Sequence, residues 1–123
     1  MINAITWFEI PASDLYRARE FYETVLHIEM RSFNHKELEM ILFPWEEGGV
    51  GGAICYNPEH YKPGQEGPVI YLNLKIEMDL ALKQVEKSGG RILKPKVLVS
   101  ETIGYMALIS DTEGNRVGLL SSN

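Results

Sequence analysis

The sequence has little cysteine and no long apolar run. Its one cysteine, Cys55, cannot form an internal disulfide, and its neighbours Ile54 and Tyr56 predict a buried strand thiol rather than a nucleophile. No segment approaches the roughly 20 apolar residues that cross a bilayer, and the N-terminus lacks the basic start and apolar run of a signal peptide. These absences predict a cytoplasmic protein with no membrane partner.

Positive charge is also scarce. The chain has 12 lysines and arginines against 17 aspartates and glutamates, a formal net charge of -5, and this charge repels nucleic-acid phosphates and anionic lipid. Nucleic acid is therefore excluded as a predicted partner. The three histidines, His27, His35 and His60, fall at a predicted helix end, in a hairpin turn and in a linker, so we expect them on the surface and not around a metal ion.

What is present is a repeated pattern of strands and helix. β-branched and aromatic residues predict a strand over 5–11. Apolar residues then recur every three or four positions after Ser13 or Asp14, either of which can cap the start of a helix. Three short β segments are predicted next, at about 28–34, 38–45 and 51–56. The order is βαβββ.

The pattern repeats after a segment that suits neither a sheet nor a helix. Residues 58–68 hold three prolines and two glycines and are predicted to be a linker. A strand at 69–76 and a helix at about 79–88 follow, and Gly89-Gly90 can end that helix in the left-handed conformation. Three more strands are predicted, at about 91–98, 104–110 and 116–121.

This repeat predicts one domain over residues 1–123, built from module one (about 1–57), the linker (58–68) and module two (about 69–123). The predicted fold class is α+β: paired βαβββ modules with two curled four-stranded mixed sheets, each carrying a helix on one face. Neither module alone could bury both faces of its sheet. We therefore expect the faces without helices to form a shared cleft for a small ligand.

Segments spread over nearly the whole chain resemble one known family. They are Phe8-Glu9-Ile10-Pro11-Ala12-Ser13-Asp14-Leu15 with Phe21-Tyr22, Tyr71-Leu72-Asn73-Leu74 through Ser88-Gly89-Gly90, and Asp111-Thr112-Glu113-Gly114-Asn115-Arg116. In this order and spacing they resemble the vicinal-oxygen-chelate superfamily of glyoxalases, bleomycin-resistance proteins and extradiol dioxygenases. The resemblance implies the paired βαβββ fold and a site in its cleft.

The resemblance also allows a test for the metal that the family's enzymes use. In those enzymes one ligand, a His, a Glu or a similar group, comes from each of four strands. The matching positions here fall on or near Trp7, Ala53, Val69 and Gly118. An indole N–H can only donate a hydrogen bond, and the other three side chains have no lone pair. We therefore predict no bound metal and no other cofactor.

Alternation along the strands assigns candidate ligand-binding residues, because residues two apart share a face. If Trp7 faces the cleft, Glu9 does too. By the same alternation, Tyr71 and Asn73 share the face of Val69, and Arg116 shares the face of Gly118. Trp7 either stacks on a ligand or fills the space of the missing metal. Glu9 either has a function or pairs with Arg116 or an N–H group.

Three functions remain open at this stage. The first is a metal-free protein that binds or sequesters a small, partly apolar molecule, as a homodimer with a cleft shared between chains. The second is a lyase, isomerase or dioxygenase, using an unidentified metal site or Glu9 as a general base. The third is a regulatory or assembly domain that binds no small ligand.

Overall fold

A computed structural model describes residues 3–35 and 38–123, with the side chain of His35 left out. Within these residues the elements occur in the order βαβββ, twice over, as the sequence predicts. They are β1 (Trp7–Pro11), α1 (Leu15–Leu26), β2 (Arg31–His35), β3 (Leu38–Leu42), β4 (Gly51–Tyr56), β5 (Tyr71–Asn73), α2 (Met78–Lys87), β6 (Arg91–Ser100), β7 (Gly104–Ser110) and β8 (Arg116–Ser121). No helix among the described residues is long and apolar enough to cross a membrane.

Helix α1 begins and ends at the signals that the sequence contains. The Asp14 side chain accepts a hydrogen bond from the backbone N–H of Arg17 at 3.1 Å, so Asp14, rather than Ser13, is the N-cap. The helix ends at His27, which has a left-handed backbone (φ 55°). Its buried stripe is Ala18, Phe21, Tyr22, Val25 and Leu26, the three-to-four-residue spacing of a core-facing helix.

Each module forms a four-stranded mixed sheet, which confirms the predicted fold class. The strand orders are β1-β4-β3-β2 in module one and β5-β8-β7-β6 in module two. In both sheets the first and last strands of the module are parallel neighbours, β1 with β4 and β5 with β8, and the remaining pairs are antiparallel. The first and last strands of a module are therefore brought side by side.

Several strands differ from their predicted bounds. β1 begins at Trp7 instead of residue 5, β2 covers Arg31–His35 instead of about 28–34, and β3 ends at Leu42 instead of about residue 45. Strand β5 covers Tyr71–Asn73 instead of 69–76, so Val69 lies outside it. Strand β6 runs further than predicted, to Ser100, and its pairing with β7 shifts register between Lys94 and Val97. Pro95 lies within that shift. Proline has no N–H to donate to a neighbouring strand, so it is tolerated at the edge of a sheet and beside a bulge.

The core lies between the helices and one face of each sheet. Ile10 and Ile54 from module one and Leu72 and Leu119 from module two belong to a single buried apolar cluster, and α1 contacts α2. We call the opposite face of each sheet its open face, because its side chains point away from this core. The open faces contain the candidate residues considered below.

The β7–β8 turn of module two fastens the start of α1 in module one. The buried Glu113 carboxylate accepts the backbone N–H groups of Ser13 and Asp14, both at 2.9 Å, and it binds the Arg17 guanidinium through contacts of 2.7 and 3.0 Å. Thr112 donates a further bond at 2.9 Å. An anion at a helix start satisfies N–H groups that have no partner within the helix.

The same turn is anchored from within by a buried carboxylate. Asp111 accepts the Tyr22 hydroxyl at 2.5 Å and the backbone N–H groups of Glu113 and Asn115, and the Asn115 amide reaches the carbonyl of Pro11 at 2.7 Å. The turn over 111–115 is present as the sequence predicts. Its role in joining the two modules is a finding of the structure.

Candidate functional site

The open face of each sheet carries an aromatic ring beside a glycine of the neighbouring strand. Trp7 of β1 pairs with Gly51 of β4, and Tyr71 of β5 pairs with Gly118 of β8. A Cβ on Gly118 would lie 2.4 Å from Cδ2 of Tyr71. Glycine within a strand often marks such a close approach. By this register Trp7 is the counterpart of Tyr71.

In module one a second indole joins the first. A Cβ on Gly51 would lie 2.7 Å from Cδ2 of Trp45 and 3.0 Å from Cζ3 of Trp7. The two indole centroids are 5.7 Å apart and the ring planes are nearly perpendicular, at 86°, an edge-to-face geometry that aromatic pairs favour. We call Trp7, Trp45 and the neighbouring Glu9 the aromatic corner.

Glu9 is the half-buried carboxylate of this corner. Its Oε2 accepts the indole Nε1–H of Trp7 at 3.2 Å, and its Oε1 accepts the hydroxyl of Tyr61 at 2.5 Å. One alternative from the sequence, pairing with an N–H group, is therefore observed. Pairing with Arg116 is not, because Arg116 donates elsewhere. Tyr61 comes from the segment that the sequence marks only as a linker.

The groups that face Glu9 keep their protons at neutral pH. The hydrogen bond to Glu9, followed by burial, raises the pKa of Tyr61 to about 12. Burial, followed by the charge of Glu9, raises the pKa of Cys55 to about 12. Cys55 is fully buried, as predicted, and a thiol with so high a pKa is a poor nucleophile. Neutral donors therefore surround the Glu9 carboxylate.

Arg116 bonds to the linker and not to Glu9. Its Nη2 donates to the carbonyl oxygen of Gly67 at 2.5 Å, and its backbone N–H donates to Gly64. Gln65 donates to the Ser110 hydroxyl at 3.0 Å. Asn73 lies exposed on β5. The linker thus bonds to module one through Tyr61 and to module two through Gly64, Gln65 and Gly67.

The side chains at the four positions predicted to match the family's metal ligands do not fit a metal. Trp7 is an indole in β1, Ala53 is fully buried in β4, Gly118 lies under the Tyr71 ring, and Val69 precedes β5. None offers a lone pair to a divalent ion. Among the described residues no three His, Cys, Asp or Glu side chains come together as a metal-binding group.

The described histidines are on the surface. His27 caps α1 and is exposed, and His60 is exposed in the linker, as the sequence predicts for both. The side chain of His35 lies outside the described part of the chain. A groove of about 280 Å³, which the sequence did not suggest, lies between the start of α1 and strands β2 and β3; its lining includes Asp14, Tyr16, Asn34 and Tyr56.

The chain belongs to the Glyoxalase/Bleomycin resistance protein/Dioxygenase superfamily, whose family model matches residues 4–119. No curated protein matches the sequence significantly. Among solved structures, the chain is similar to a superfamily member from Sphaerobacter thermophilus (24% identity, TM-score 0.71, 98% of each chain covered). It is also similar to a glyoxalase/bleomycin resistance protein from Albidiferax ferrireducens (15% identity, TM-score 0.73, 97% of this chain and 98% of that one).

A third similar structure is TnmS3, an antibiotic binding protein from Streptomyces sp. CB03234. Its identity to this chain is 18%, its TM-score is 0.71, and the alignment covers 99% of this chain and 98% of that one. At these identities the likeness establishes the shared fold. It leaves the chemistry of the site to this chain's own residues.

Proposed function

We propose that the protein binds a small, partly apolar molecule against its open faces and sequesters it, without the metal used by enzymes of the superfamily. The observation that carries the proposal is the exposed aromatic surface on both faces. Trp7 and Trp45 in module one remain 38% and 47% exposed, and Tyr71 in module two remains 43% exposed. Flat rings held in place over glycine offer stacking area for a planar guest.

Polar groups beside the rings would set the orientation of the guest. Glu9 lies next to Trp7, and Asn73 is two residues from Tyr71 on the same face. A carboxylate and an amide can each fix a ligand by hydrogen bonds. TnmS3, with the same fold, is described as an antibiotic binding protein, which supports a binding role for a paired βαβββ domain.

A second copy of the chain would complete the cleft. The two modules meet through their helices, so each open face turns away from the shared core. Beyond the rings, Phe33 in module one and Val97 in module two are 49% and 42% exposed, and their cross-strand partners place both on open faces. In a homodimer the module-one face of one chain would cover the module-two face of its partner.

Tryptophan fluorescence tests the binding proposal, because both tryptophans of the chain lie at the aromatic corner. Titration with a panel of planar aromatic compounds is expected to change the emission and to raise the melting temperature. A ligand at 100 times its Kd stabilises the folded state by about 2.7 kcal/mol. Trp7→Phe and Trp45→Phe separate the two reporters. A panel without any compound that shifts either signal would refute the proposal.

Metal binding is tested separately. Purified protein is expected to contain no stoichiometric metal, and its melting temperature is expected to stay constant with added Zn²⁺, Ni²⁺, Mn²⁺ or Fe²⁺. Sedimentation measurements in the same buffers report whether the chain is a dimer. One metal per chain with a clear thermal shift would favour the alternative function, a metal-dependent lyase, isomerase or dioxygenase.

A further inference from the structure

We infer that the aromatic corner recognises an organic cation, a quaternary ammonium or alkylated amine, held between the Glu9 carboxylate and the indole faces of Trp7 and Trp45. This inference rests on the proposed function and names the chemistry of its ligand. It follows from the charge of Glu9, from the geometry of the two indoles, and from the contrast with the equivalent positions of module two.

The first observation is an anion that the described chain leaves without a counter-ion. Glu9 is half-buried, and the donors that face it, the Trp7 indole, the Tyr61 hydroxyl and the Cys55 thiol, are all neutral. The ion pairs among the described residues lie elsewhere: Arg17–Glu113, Arg19–Glu23, Glu59–His60 and Asp79–Lys96. A carboxylate drawn partly out of water is favoured by an approaching positive charge.

The second observation is the pair of aromatic walls beside that anion. The indole planes of Trp7 and Trp45 are nearly perpendicular and their centroids are 5.7 Å apart, so they form two sides of a corner. The hydrogen bond from Nε1 of Trp7 fixes one wall next to the carboxylate. Tryptophan is the best cation–π partner among the side chains, and aromatic walls of this kind bind quaternary ammonium groups.

The aromatic walls favour an alkylated cation over a strong hydrogen-bond donor. Each Glu9 oxygen accepts one bond, from Trp7 or from Tyr61, and keeps a further lone pair, so the preference comes from the walls and not from the carboxylate. The walls themselves are ring faces, which offer no acceptor to an N–H group beyond their π electrons. A methylated ammonium, which spreads its charge over apolar groups, matches both the walls and the anion.

Module two lacks this combination. At the positions equivalent to Trp7 and Glu9 it has Tyr71 and Asn73, a weaker cation–π partner and a neutral amide. The net charge of -5 would also draw cations toward the protein as a whole. The register also places Lys94 on the open face of module two, in the row of Leu108 and Gly118, and a positive charge there repels a cation. The cation is therefore assigned to module one.

Two probes of matched shape test the inference: choline and its neutral isostere 3,3-dimethylbutan-1-ol. Binding is measured from the indole Nε1–H chemical shifts of Trp7 and Trp45 during titration. We expect choline to bind at least about ten-fold more tightly than the alcohol. Glu9→Gln keeps the shape of the side chain and removes its charge, so it should reduce this preference to about three-fold or less.

Control variants separate the corner from general charge. Glu47→Gln removes an exposed carboxylate from the β3–β4 connection and should keep the preference for choline. Trp45→Leu removes one wall, leaves Glu9 in place and should weaken choline binding about five-fold. Unchanged far-UV circular dichroism shows that each variant is folded. If Glu9→Gln unfolds, the Trp45→Leu result decides the inference.

The outcomes distinguish this inference from the proposed function. Equal binding of the two probes, absence of choline binding, or a preference for choline that persists in Glu9→Gln would overturn the cation inference. In each case the aromatic panel could still bind, and the proposed function would stand. Loss of panel binding in the wild-type protein would overturn both.

Discussion

The two modules share their element order and strand pairing, but their open faces differ. Trp7 and Glu9 in β1 occupy the positions that Tyr71 and Asn73 occupy in β5. Module one adds Trp45 and a bond from Tyr61 of the linker. Module two has no charged group at these positions. At these equivalent positions module one thus presents a carboxylate and an indole, and module two a neutral amide and a phenol.

The difference shows where the fold restricts the sequence. On the helix side both modules need apolar residues, such as Ile10 and Leu72, because these positions build the shared core. On the open side a glycine lies next to each ring, Gly51 or Gly118, where a Cβ would meet the ring. The remaining open-face positions can therefore diverge, and function depends on the site rather than on the fold.

The helix starts differ in the same way. Helix α1 is capped by Asp14 and receives Glu113 from the other module. Helix α2 begins after Glu77, whose side chain makes no capping bond, and the N–H of Met78 donates to a backbone oxygen of Asn123. The start of α1 is therefore held by a charged side chain from the other module, whereas the start of α2 is held by a backbone oxygen of its own module.

The largest expected effect on stability comes from removing the Glu113 contacts that join the β7–β8 turn to the start of α1. Glu113→Ala leaves two backbone N–H groups and the Arg17 guanidinium without their acceptor, so we expect a loss of about 3 kcal/mol of unfolding free energy. Glu47→Ala, in the corresponding connection of module one, is exposed and should change stability by less than about 0.5 kcal/mol. Urea denaturation measures both. Similar losses in the two variants would show that the connections are equivalent after all.

The next effect is the pH dependence of the same carboxylate. Burial opposes ionisation of Glu113, but the bonds from Arg17, Asp14, Thr112 and Ser13 outweigh it and lower its pKa. The stabilisation is therefore fully present above the ordinary carboxyl pKa of about 4.3 and is lost as pH falls through the lower folded value. Glu113→Gln should be less stable than wild type by about 2 kcal/mol at pH 7.

That difference should shrink as the solution is acidified, because protonation of Glu113 in the wild-type protein removes the same charge. Unfolding curves of both proteins between neutral and strongly acidic pH measure it. The matched variant Glu47→Gln should follow the wild-type curve. If the stability difference between Glu113→Gln and wild type stays constant with pH, the charge of Glu113 does not stabilise the junction between the β7–β8 turn and α1.

Most of the fold could be predicted from the sequence, because its signals are local. The spacing of apolar and capping residues predicts the buried stripe of α1, the cap at Asp14 and the βαβββ repeat. Strand β5 was predicted too long, since Val69 and Ile76 suit a strand but do not pair as one. The register that sets Trp7 beside Gly51 requires the parallel crossover, which no local pattern specifies.

The candidate site could be predicted only in part. Alternation along β1 and β5 places Trp7 with Glu9 and Tyr71 with Asn73. The sequence does not indicate Tyr61, because its proline-rich segment predicts only a linker. It does not indicate Trp45 either, because that residue is predicted at the end of the strand over 38–45, whereas β3 ends at Leu42. Both reach the corner through contacts distant in sequence. A glycine within a strand pattern, Gly118, was the available signal for the Tyr71 ring above it, whereas Gly51 stands at the first position of β4.

A smaller effect is expected at the two glycines that hold the rings. Gly51→Ala and Gly118→Ala would each place a Cβ within 3 Å of a ring, so the ring must move toward solvent, at a cost of about 1 kcal/mol. Gly51→Ala should also change tryptophan emission, because both indoles lie over Gly51. Gly118→Ala displaces Tyr71 and should not. Equal emission changes in the two variants would contradict the placement of both indoles on module one and of Tyr71 on module two.

The smallest effect concerns the bond that the linker makes to module one. Tyr61→Phe removes the hydroxyl that donates to Glu9 and should cost about 0.5 to 1 kcal/mol. Because that bond raises the pKa of Tyr61 to about 12 from its ordinary value of 10.0, its contribution is complete below pH 10 and is lost as pH rises toward 12. Ultraviolet titration should show one tyrosine fewer with a raised pKa in the variant.

Gln65→Ala, which cuts the linker's bond to Ser110 in module two, should leave the titration unchanged. If the tyrosine missing from the Tyr61→Phe titration were one with the ordinary pKa of about 10, the hydroxyl of Tyr61 would not be bonded to Glu9. The difference between the open faces would then rest on Trp7, Trp45 and the charge of Glu9.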